Sequence, residues 1–133
     1  MPNFKLDISY DGTNFFGWQI QKNDRSVQGD ITDAISKIFK VKDINLIGSG
    51  RTDSGVHAKQ QIANFKFDTT LKPHNIKNAI NSYLKKDVHI NSCSYVEDGF
   101  NSRFDAVSRE YEYIVTNFYS PLHRNHSFYI QDY

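Results

Sequence analysis

The sequence predicts an α+β domain of ferredoxin-like topology, in which two helices cover one face of an antiparallel sheet. Two observations support this fold class. Two segments have the apolar spacing of amphipathic helices, and three others alternate between apolar and polar residues as half-buried strands do. The predicted order is β-α-β-β-α-β-β, and its first six elements match the ferredoxin-like arrangement. At 133 residues the chain has the length of one domain.

Each element has a local signal in the sequence. The first strand is predicted at residues 4–10, where apolar and polar side chains alternate. Ser26 is a suitable N-cap for a helix over residues 27–39, because its hydroxyl can accept a bond from a free N–H of the first turn. Pro73 opens a second helix, since proline fits the first helical position. The other strands are predicted at residues 45–49, 61–67, 88–96 and 109–117.

The second face of the predicted sheet has no cover, because both helices lie on the same side. Aromatic residues make up 14% of the chain, so we expect the uncovered face to be rich in aromatic side chains. Such a face serves either as a platform for nucleic acid or as a protein interface. We therefore expect it to drive self-association.

Composition narrows the class of protein. A hydrophobic fraction of 38% and a charged fraction of 23% are typical of a folded globular domain. No apolar run approaches the roughly 18 residues of a membrane span, and the N-terminus has no apolar signal segment. The single cysteine, Cys93, predicts a reducing compartment such as the cytoplasm, and we expect a small buried strand residue there, not a catalytic thiol.

The densest functional signal is GSGRTDSGVHA at residues 48–58, where three glycines bracket one arginine and one aspartate. Glycine permits backbone conformations that other residues resist and lets a ligand approach closely. The spacing fails the dinucleotide-binding pattern. It also fails the phosphate-loop pattern, because Val56 stands where lysine is required. What remains is a tight loop that holds a carboxylate beside a guanidinium.

Two interpretations of this loop stay open on the residues alone. Arg51 and Asp53 can form an ordinary surface ion pair, which contributes little to stability. Alternatively, Asp53 is an active carboxylate that a nearby cation keeps ionised.

The chain has no strong metal-binding pattern, so we expect no bound metal. His123 and His126 are the only closely spaced histidines, and no ligand accompanies them at a recognised spacing, so we expect exposed tail residues. A magnesium site of Asp7, Asp11 and Asp53 is less favoured, because Asp7 is predicted to lie on the solvated side of its strand.

The loop also carries a resemblance to a known family. GRTDSGVHA at residues 50–58 resembles, almost residue for residue, the catalytic loop of the tRNA pseudouridine synthase A family. Four further blocks resemble that family's motifs in the same order. They are YDG with FGWQIQ at residues 10–21, SVQG at 26–29, FNSRFDA at 100–106 and SREYEY at 108–113. Five ordered blocks are far more specific than one short motif.

The resemblance implies an enzyme that isomerises uridine to pseudouridine in the anticodon arm of tRNA, usually at positions 38, 39 and 40, without a cofactor or metal. The target base must be flipped out of the RNA helix first. By their match to the family motifs, Asp53 is the catalytic carboxylate, Arg51 fills the space that the base leaves, and Tyr111 stacks on the uracil. Arg103 and Arg109 are implied contacts to phosphate.

Members of this family continue into a second, related half and form homodimers. The resemblance therefore implies that residues 1–133 are the N-terminal catalytic half, and that residues 118–133 begin the segment leading to the other half. We expect the isolated 133 residues to fold but to turn over poorly or not at all.

Two other functions fit the predicted fold. A non-catalytic RNA-binding module would use the same aromatic side chains for stacking, and replacing Asp53 by asparagine would then change nothing. A ligand-sensing domain that assembles as an oligomer would bind a small molecule, but it leaves Arg51 and Asp53 without a purpose.

Overall fold

The computed structural model describes residues 1–129 and confirms the α+β fold class. Two helices pack against one face of a four-stranded antiparallel sheet. The elements are β1 (Asn3–Tyr10), α1 (Val27–Phe39), β2 (Ile47–Gly48), β3 (Ala58–Lys66), α2 (Pro73–Tyr83), β4 (Val88–Val96), β5 (Val115–Thr116) and β6 (Phe128–Tyr129). The strand order in the main sheet is β2-β3-β1-β4, as in a ferredoxin-like fold.

The hydrophobic core lies between the helices and the inner face of the sheet. Phe4, Leu6 and Ile8 of β1 are fully buried there, and Phe4 pairs across the ladder with Phe65 of β3. The helices supply the opposite wall with Val27, Ile31, Ala34, Ile35, Ile76 and Ile80. Burying one large apolar side chain contributes about 1.5–3 kcal/mol relative to leaving it exposed. This layer therefore stabilises the packing of both helices on the sheet.

Local sequence explains where the helices begin and end. The Ser26 hydroxyl accepts a hydrogen bond from the backbone N–H of Gly29, 3.0 Å away, and so caps α1 as predicted. Lys40 adopts a left-handed conformation with φ of 56°, which ends α1. Pro73 is the first residue of α2. Neither helix of the described chain has the length and hydrophobicity that crossing a bilayer requires.

The outer face of the sheet is polar, so the prediction of an aromatic-rich face is wrong. The ladder register places Lys5 and Asp7 of β1 on this face, together with Asn64 of β3 and Ser92 of β4. Strand side chains alternate between faces, and the aromatic residues of β1 and β3 fall on the core side. Within the described residues, the strands therefore supply no aromatic patch on this face, and the expected self-association stays a prediction.

A buried amide network fastens the segment after β4 to this polar face. Asn64 donates to Oδ1 of Asn3 over 3.0 Å, and it accepts bonds from both the N–H and the hydroxyl of Ser102. Asn3 in turn donates to the carbonyl oxygens of Glu97 and Phe100. Asn3, Asn64 and Ser102 are at most 2% exposed. Their polar groups therefore depend on one another for hydrogen bonds.

The predicted strand at residues 109–117 is wrong over most of its length. Only Val115–Thr116 forms a ladder, and it pairs in parallel with Phe128–Tyr129. Alternation indicates that a segment has two different faces, but a strand also needs a neighbouring backbone to bond. Within the described chain, residues 109–114 form no ladder, and Ile114 only accepts a backbone bond from the Phe128 N–H. Of the predicted tail segment 118–133, residues 130–133 lie outside the described residues.

Arg25 ties the start of α1 to the start of β4. Its guanidinium bonds to the Asp30 carboxylate at 2.8 and 3.0 Å and to both carboxylate oxygens of Asp87 at 2.7 and 2.8 Å. It also lies 4.0 Å from the centroid of the Phe15 ring. Such charge-assisted, bidentate bonds are strong. The bonds from Arg25 favour the ionised form of Asp87 and lower the pKa of its carboxyl.

Replacing Asn64 by alanine is expected to lower the free energy of unfolding by about 2 kcal/mol, because Asn3 and Ser102 each lose a buried partner. Urea unfolding followed by circular dichroism measures this loss. Asn91→Ala is the control, since Asn91 is exposed and bonds to Ser9 and Asp7 at the surface. It should change the stability by less than about 0.5 kcal/mol. Equal losses in both variants would contradict the role of the network.

The Arg25–Asp87 pair predicts that stability depends on pH. Folding lowers the pKa of Asp87 below its ordinary 3.8, so the unfolded chain takes up the proton first as the pH falls. The contribution of the pair is therefore complete above about pH 5 and is lost as the pH falls through the folded-state pKa.

Thermal unfolding of the wild type and of Asp87→Asn, measured between about pH 2.5 and pH 7, tests this expectation. The wild type should be the more stable protein near neutral pH, and the difference should shrink on acidification below pH 3.8. A difference that stays constant across the whole range would rule out this ionic contribution.

Candidate active site

A cleft of about 1330 Å³ opens on the polar side of the sheet. Four of the five residues that the sequence predicted for function line it, namely Arg51, Asp53, Arg109 and Tyr111. We call it the Asp53 cleft. Its volume exceeds the roughly 300–1,000 Å³ of pockets for small molecules. The cleft therefore has room for more than a single small ligand.

Asp53 and Arg51 do not pair with each other. Both side chains are exposed. Within residues 1–129, neither side chain takes part in a hydrogen bond or an ion pair. The interpretation of the loop as a simple surface ion pair is therefore wrong, and both charges are available to a ligand in the cleft.

The loop at residues 50–58, which we call the Asp53 loop, packs against the turn after β1 through its backbone. A Cβ atom on Gly12 would lie 2.0 Å from the carbonyl oxygen of Val56. At Gly17, where φ is +86°, a Cβ atom would lie 2.5 Å from the carbonyl oxygen of Thr52. Real Cβ atoms do not approach oxygen so closely, so both positions require glycine. The YDG and FGW motifs and the Asp53 loop are therefore parts of one packed unit.

The other wall of the cleft comes from residues 105–114. Nε of Arg109 donates to the Ser49 carbonyl over 2.7 Å, and its Nη2 donates to the Arg103 carbonyl over 3.2 Å. The Tyr111 side chain is 60% exposed, and its hydroxyl approaches Gly50. Arg103 does not line the cleft; its backbone carbonyl reaches Arg109 instead.

His57 supports the Asp53 loop from its far end. Nδ1 accepts a hydrogen bond from the backbone N–H of Gly12 over 2.9 Å, and Nε2 bonds to the Asn125 carbonyl. The ring also packs against His126, with 4.4 Å between the ring centroids. Both ring nitrogens have partners, which favours a bracing role of His57 over proton transfer.

Asp11, His57 and His126 bring three possible metal ligands within 4.8 Å of one another. The expectation that His126 is only an exposed tail residue missed this long-range contact. Oδ1 of Asp11 already accepts bonds from the N–H and the hydroxyl of Thr13, which lower the pKa of the Asp11 carboxyl. A metal would have to displace these bonds and those of His57, so the cluster is better described as a hydrogen-bonded brace.

Asp7 and Cys93, neither of which the sequence favoured as a functional residue, are not part of the site. Asp7 does not join Asp53, because its carboxylate accepts hydrogen bonds from Gln60 and Asn91 on the outer face of the sheet. Cys93 is half-buried in β4, and burial raises the pKa of its thiol to about 12. The thiol is therefore protonated at neutral pH, which agrees with a structural residue.

Gln61 is a supporting residue that the sequence did not reveal. Its amide nitrogen donates to the Gly50 carbonyl, and its amide oxygen accepts a bond from the Ser49 hydroxyl. Gln61 is buried and lies opposite Ile8 of the core strand. The sequence offered one signal for this role, which is that Gln61 is polar at a strand position that faces the core. A buried amide needs specific hydrogen-bond partners.

Gly12→Ala tests whether the backbone packing holds the loop. We expect the free energy of unfolding to fall by about 2 kcal/mol or more, because the new methyl group must displace the Val56 backbone. Gly99→Ala is the matched control, since a Cβ atom there meets nothing within 4 Å. Chemical denaturation of both variants measures the difference. Equal stability of the two variants would show that the loop tolerates displacement.

Comparison with known proteins identifies the family. A family model described as tRNA pseudouridine synthase matches residues 8–105. The chain is 50% identical over 118 residues to tRNA pseudouridine synthase A of Brachyspira hyodysenteriae, covering 88% of this chain and 47% of that protein. It is 47% identical over 117 residues to the protein of that name from Caldicellulosiruptor saccharolyticus, with coverage of 88% and 48%.

A third relative, tRNA pseudouridine synthase A of Thermoanaerobacter sp. strain X514, is 42% identical over 132 residues, which are 98% of this chain and 54% of that protein. The chain thus spans about half the length of the curated relatives it matches. The matched residues 8–105 include the Asp53 loop and its supporting turn. The predicted resemblance is confirmed, and the chain belongs to the tRNA pseudouridine synthase family.

Proposed function

We propose that the polypeptide carrying this sequence isomerises uridine to pseudouridine in tRNA, with Asp53 as its catalytic carboxylate. One observation carries the proposal. Asp53 lies in a large cleft beside Arg51 and Tyr111, and its side chain makes no bond within the described chain. A carboxylate without a protein partner can act directly on a bound nucleotide.

The reaction breaks the C1′–N1 glycosidic bond, turns the uracil and joins C1′ to C5. The proton on C5 is released and N1 takes up a proton, so the product is an isomer. It is an isomerisation, so it consumes no co-substrate. Asp53 can serve it as a nucleophile toward the sugar or the base, or as a base that removes a sugar proton. Each of these roles needs an accessible carboxylate, which the exposed position of Asp53 supplies.

Arg51 is proposed to occupy the space that the flipped uridine leaves in the RNA helix. Extrusion of a base costs a few kcal/mol, and a side chain that enters the vacated space offsets part of this cost. A guanidinium suits that place, because it stacks on bases and also pairs with phosphate. Arg51 is two residues from Asp53 and is exposed. One loop can therefore present Asp53 to the flipped base and Arg51 to the space that the base has left.

Tyr111 is proposed to stack on the flipped uracil, and its hydroxyl can relay the C5 proton. It lies on the wall of the Asp53 cleft beside Gly50, where the missing side chain leaves room. Arg109 is fixed at the same wall by two backbone carbonyls and is proposed to contact phosphate. Arg103, outside the cleft lining, is proposed to contact the RNA backbone further along.

The finer assignments rest on the family pattern. We propose the anticodon stem-loop as the substrate region, with positions 38, 39 and 40 as targets. We also propose a homodimer of the complete polypeptide, a cytoplasmic location and a reaction without cofactor. That residues 1–133 are the N-terminal half of a longer enzyme, and are inactive alone, stays a prediction.

Release of tritium from tRNA labelled at C5 of uridine tests the proposal in the complete natural polypeptide. We expect release by the wild type and a loss of at least about 1,000-fold in Asp53→Ala, because an essential catalytic group is removed. Asp43→Ala is the control, since Asp43 is an exposed aspartate outside the cleft, and it should release tritium at the wild-type rate.

Arg51→Ala belongs in the same assay and should weaken both tRNA binding and turnover. Intact binding and turnover in this variant would refute the role given to Arg51. If a folded wild type binds tRNA but releases no tritium, the domain is a non-catalytic RNA-binding module. Binding of a small molecule without RNA binding would favour a ligand-sensing domain.

A further inference from the structure

We infer that Tyr10 is a positioning residue for Asp53 and that it acts through the hydroxyl of Thr52. This inference rests on the proposed function. Tyr10 is the last residue of β1 and is only 5% exposed. Its hydroxyl lies 2.8 Å from the hydroxyl of Thr52, the residue that directly precedes Asp53.

The bond between the two hydroxyls links the central strand of the sheet to the Asp53 loop. The Tyr10 ring belongs to the hydrophobic core. Burial raises the pKa of the Tyr10 phenol, so it stays protonated and keeps its hydrogen for a bond. Tyr10 is almost fully buried, so its hydroxyl regains little hydrogen bonding from water if it loses Thr52. The Tyr10–Thr52 bond therefore favours one position of Thr52.

Thr52 is held at two points, and the second point is its carbonyl. The Trp18 backbone N–H donates to the Thr52 carbonyl over 3.1 Å, and Gly17 packs against the same oxygen. The hydroxyl bond to Tyr10 fixes the side chain, and a β-branched residue has few side-chain rotamers. The Thr52–Asp53 peptide is planar, so the backbone leading into Asp53 has a defined direction.

The Asp53 side chain has no such support, since it makes no bond within residues 1–129. Its direction depends on the backbone, which is held at Thr52 and by the bond from the Val56 N–H to the Asp53 carbonyl. Misplacement of a reacting group by about 1 Å can reduce a rate by about 100-fold. Tyr10 lines the Asp53 cleft, but its hydroxyl is bonded to Thr52, so it influences the chemistry through the backbone that leads into Asp53.

Kinetics of tritium release by the complete polypeptide test this inference in a double-mutant cycle. Tyr10→Phe and Thr52→Val should each lower kcat by about 10- to 100-fold, while KM for tRNA stays within about 2-fold. The double variant should be no slower than the slower single variant, because both changes remove the same bond. Thr52→Ser keeps the hydroxyl and should retain most of the wild-type kcat.

Tyr83→Phe is the matched control, since it removes a tyrosine hydroxyl that is exposed on α2 outside the cleft. Its kcat should equal that of the wild type. An unchanged kcat in Tyr10→Phe would overturn the inference. Losses that multiply in the double variant would also overturn it, because Tyr10 and Thr52 would then act independently. If Tyr10→Phe does not fold, the comparison of Thr52→Val with Thr52→Ser decides the same point.

Amide hydrogen exchange tests the inference without any turnover. The Trp18 N–H bonds to Thr52 of the Asp53 loop, the Gly55 N–H bonds from the loop to the Phe15 carbonyl, and the Val56 N–H bonds within the loop to Asp53. In Tyr10→Phe these amides should exchange at least about 10-fold faster, whereas amides of the central sheet change little. Equal exchange in both proteins would refute the positioning role. A wild type without turnover would refute only the proposed function, and the exchange rates would still decide the role of Tyr10.

Discussion

The close backbone contact between the turn after β1 and the Asp53 loop is the constraint on which the site depends. No side chain fits between Gly12 and Val56, or between Gly17 and Thr52. β1 ends at Tyr10, so the turn that contains Gly12 follows the strand directly, and the sheet sets its position. The position of the exposed Asp53 carboxylate is therefore set by β1, which is the most buried strand. Rigid scaffolds commonly carry functional loops in this way.

The two faces of the sheet serve different purposes. The inner face is apolar and holds the helices, whereas the outer face is polar and supports one side of the cleft. Buried amides at Asn3 and Asn64 anchor the segment that begins at Glu97. Amides give direction, since each donor and acceptor must meet a partner at a defined angle. The amides of the polar face therefore fix the orientation of the segment that begins at Glu97, whereas apolar contacts would leave that orientation less defined.

The sequence predicted both helices and the four strands of the main sheet, because periodicity and caps act locally. The Asp53 loop was recognised from its motif. Asn64 could not be predicted as a buried support, since a polar residue on the outer face of a strand has the same pattern whether water or an amide is its partner. Gln61 had one signal, its core-facing position in β3. The prediction of a strand at residues 109–117 was wrong for a similar reason, because the alternation of apolar and polar residues does not show whether a neighbouring strand exists. His126 meets His57 only through the tertiary fold.

The central position of β1 affects how the chain reaches its fold during synthesis. Asn3 pairs with Lys66 of β3 on one side and with Val96 of β4 on the other. β1 is therefore synthesised first, and both strands that pair with it are synthesised much later. Ribosomes add about 5–20 residues per second, and the last partner follows on the order of seconds after the first strand. Until then an apolar strand has both edges open, which is the state in which nascent chains aggregate or recruit chaperones.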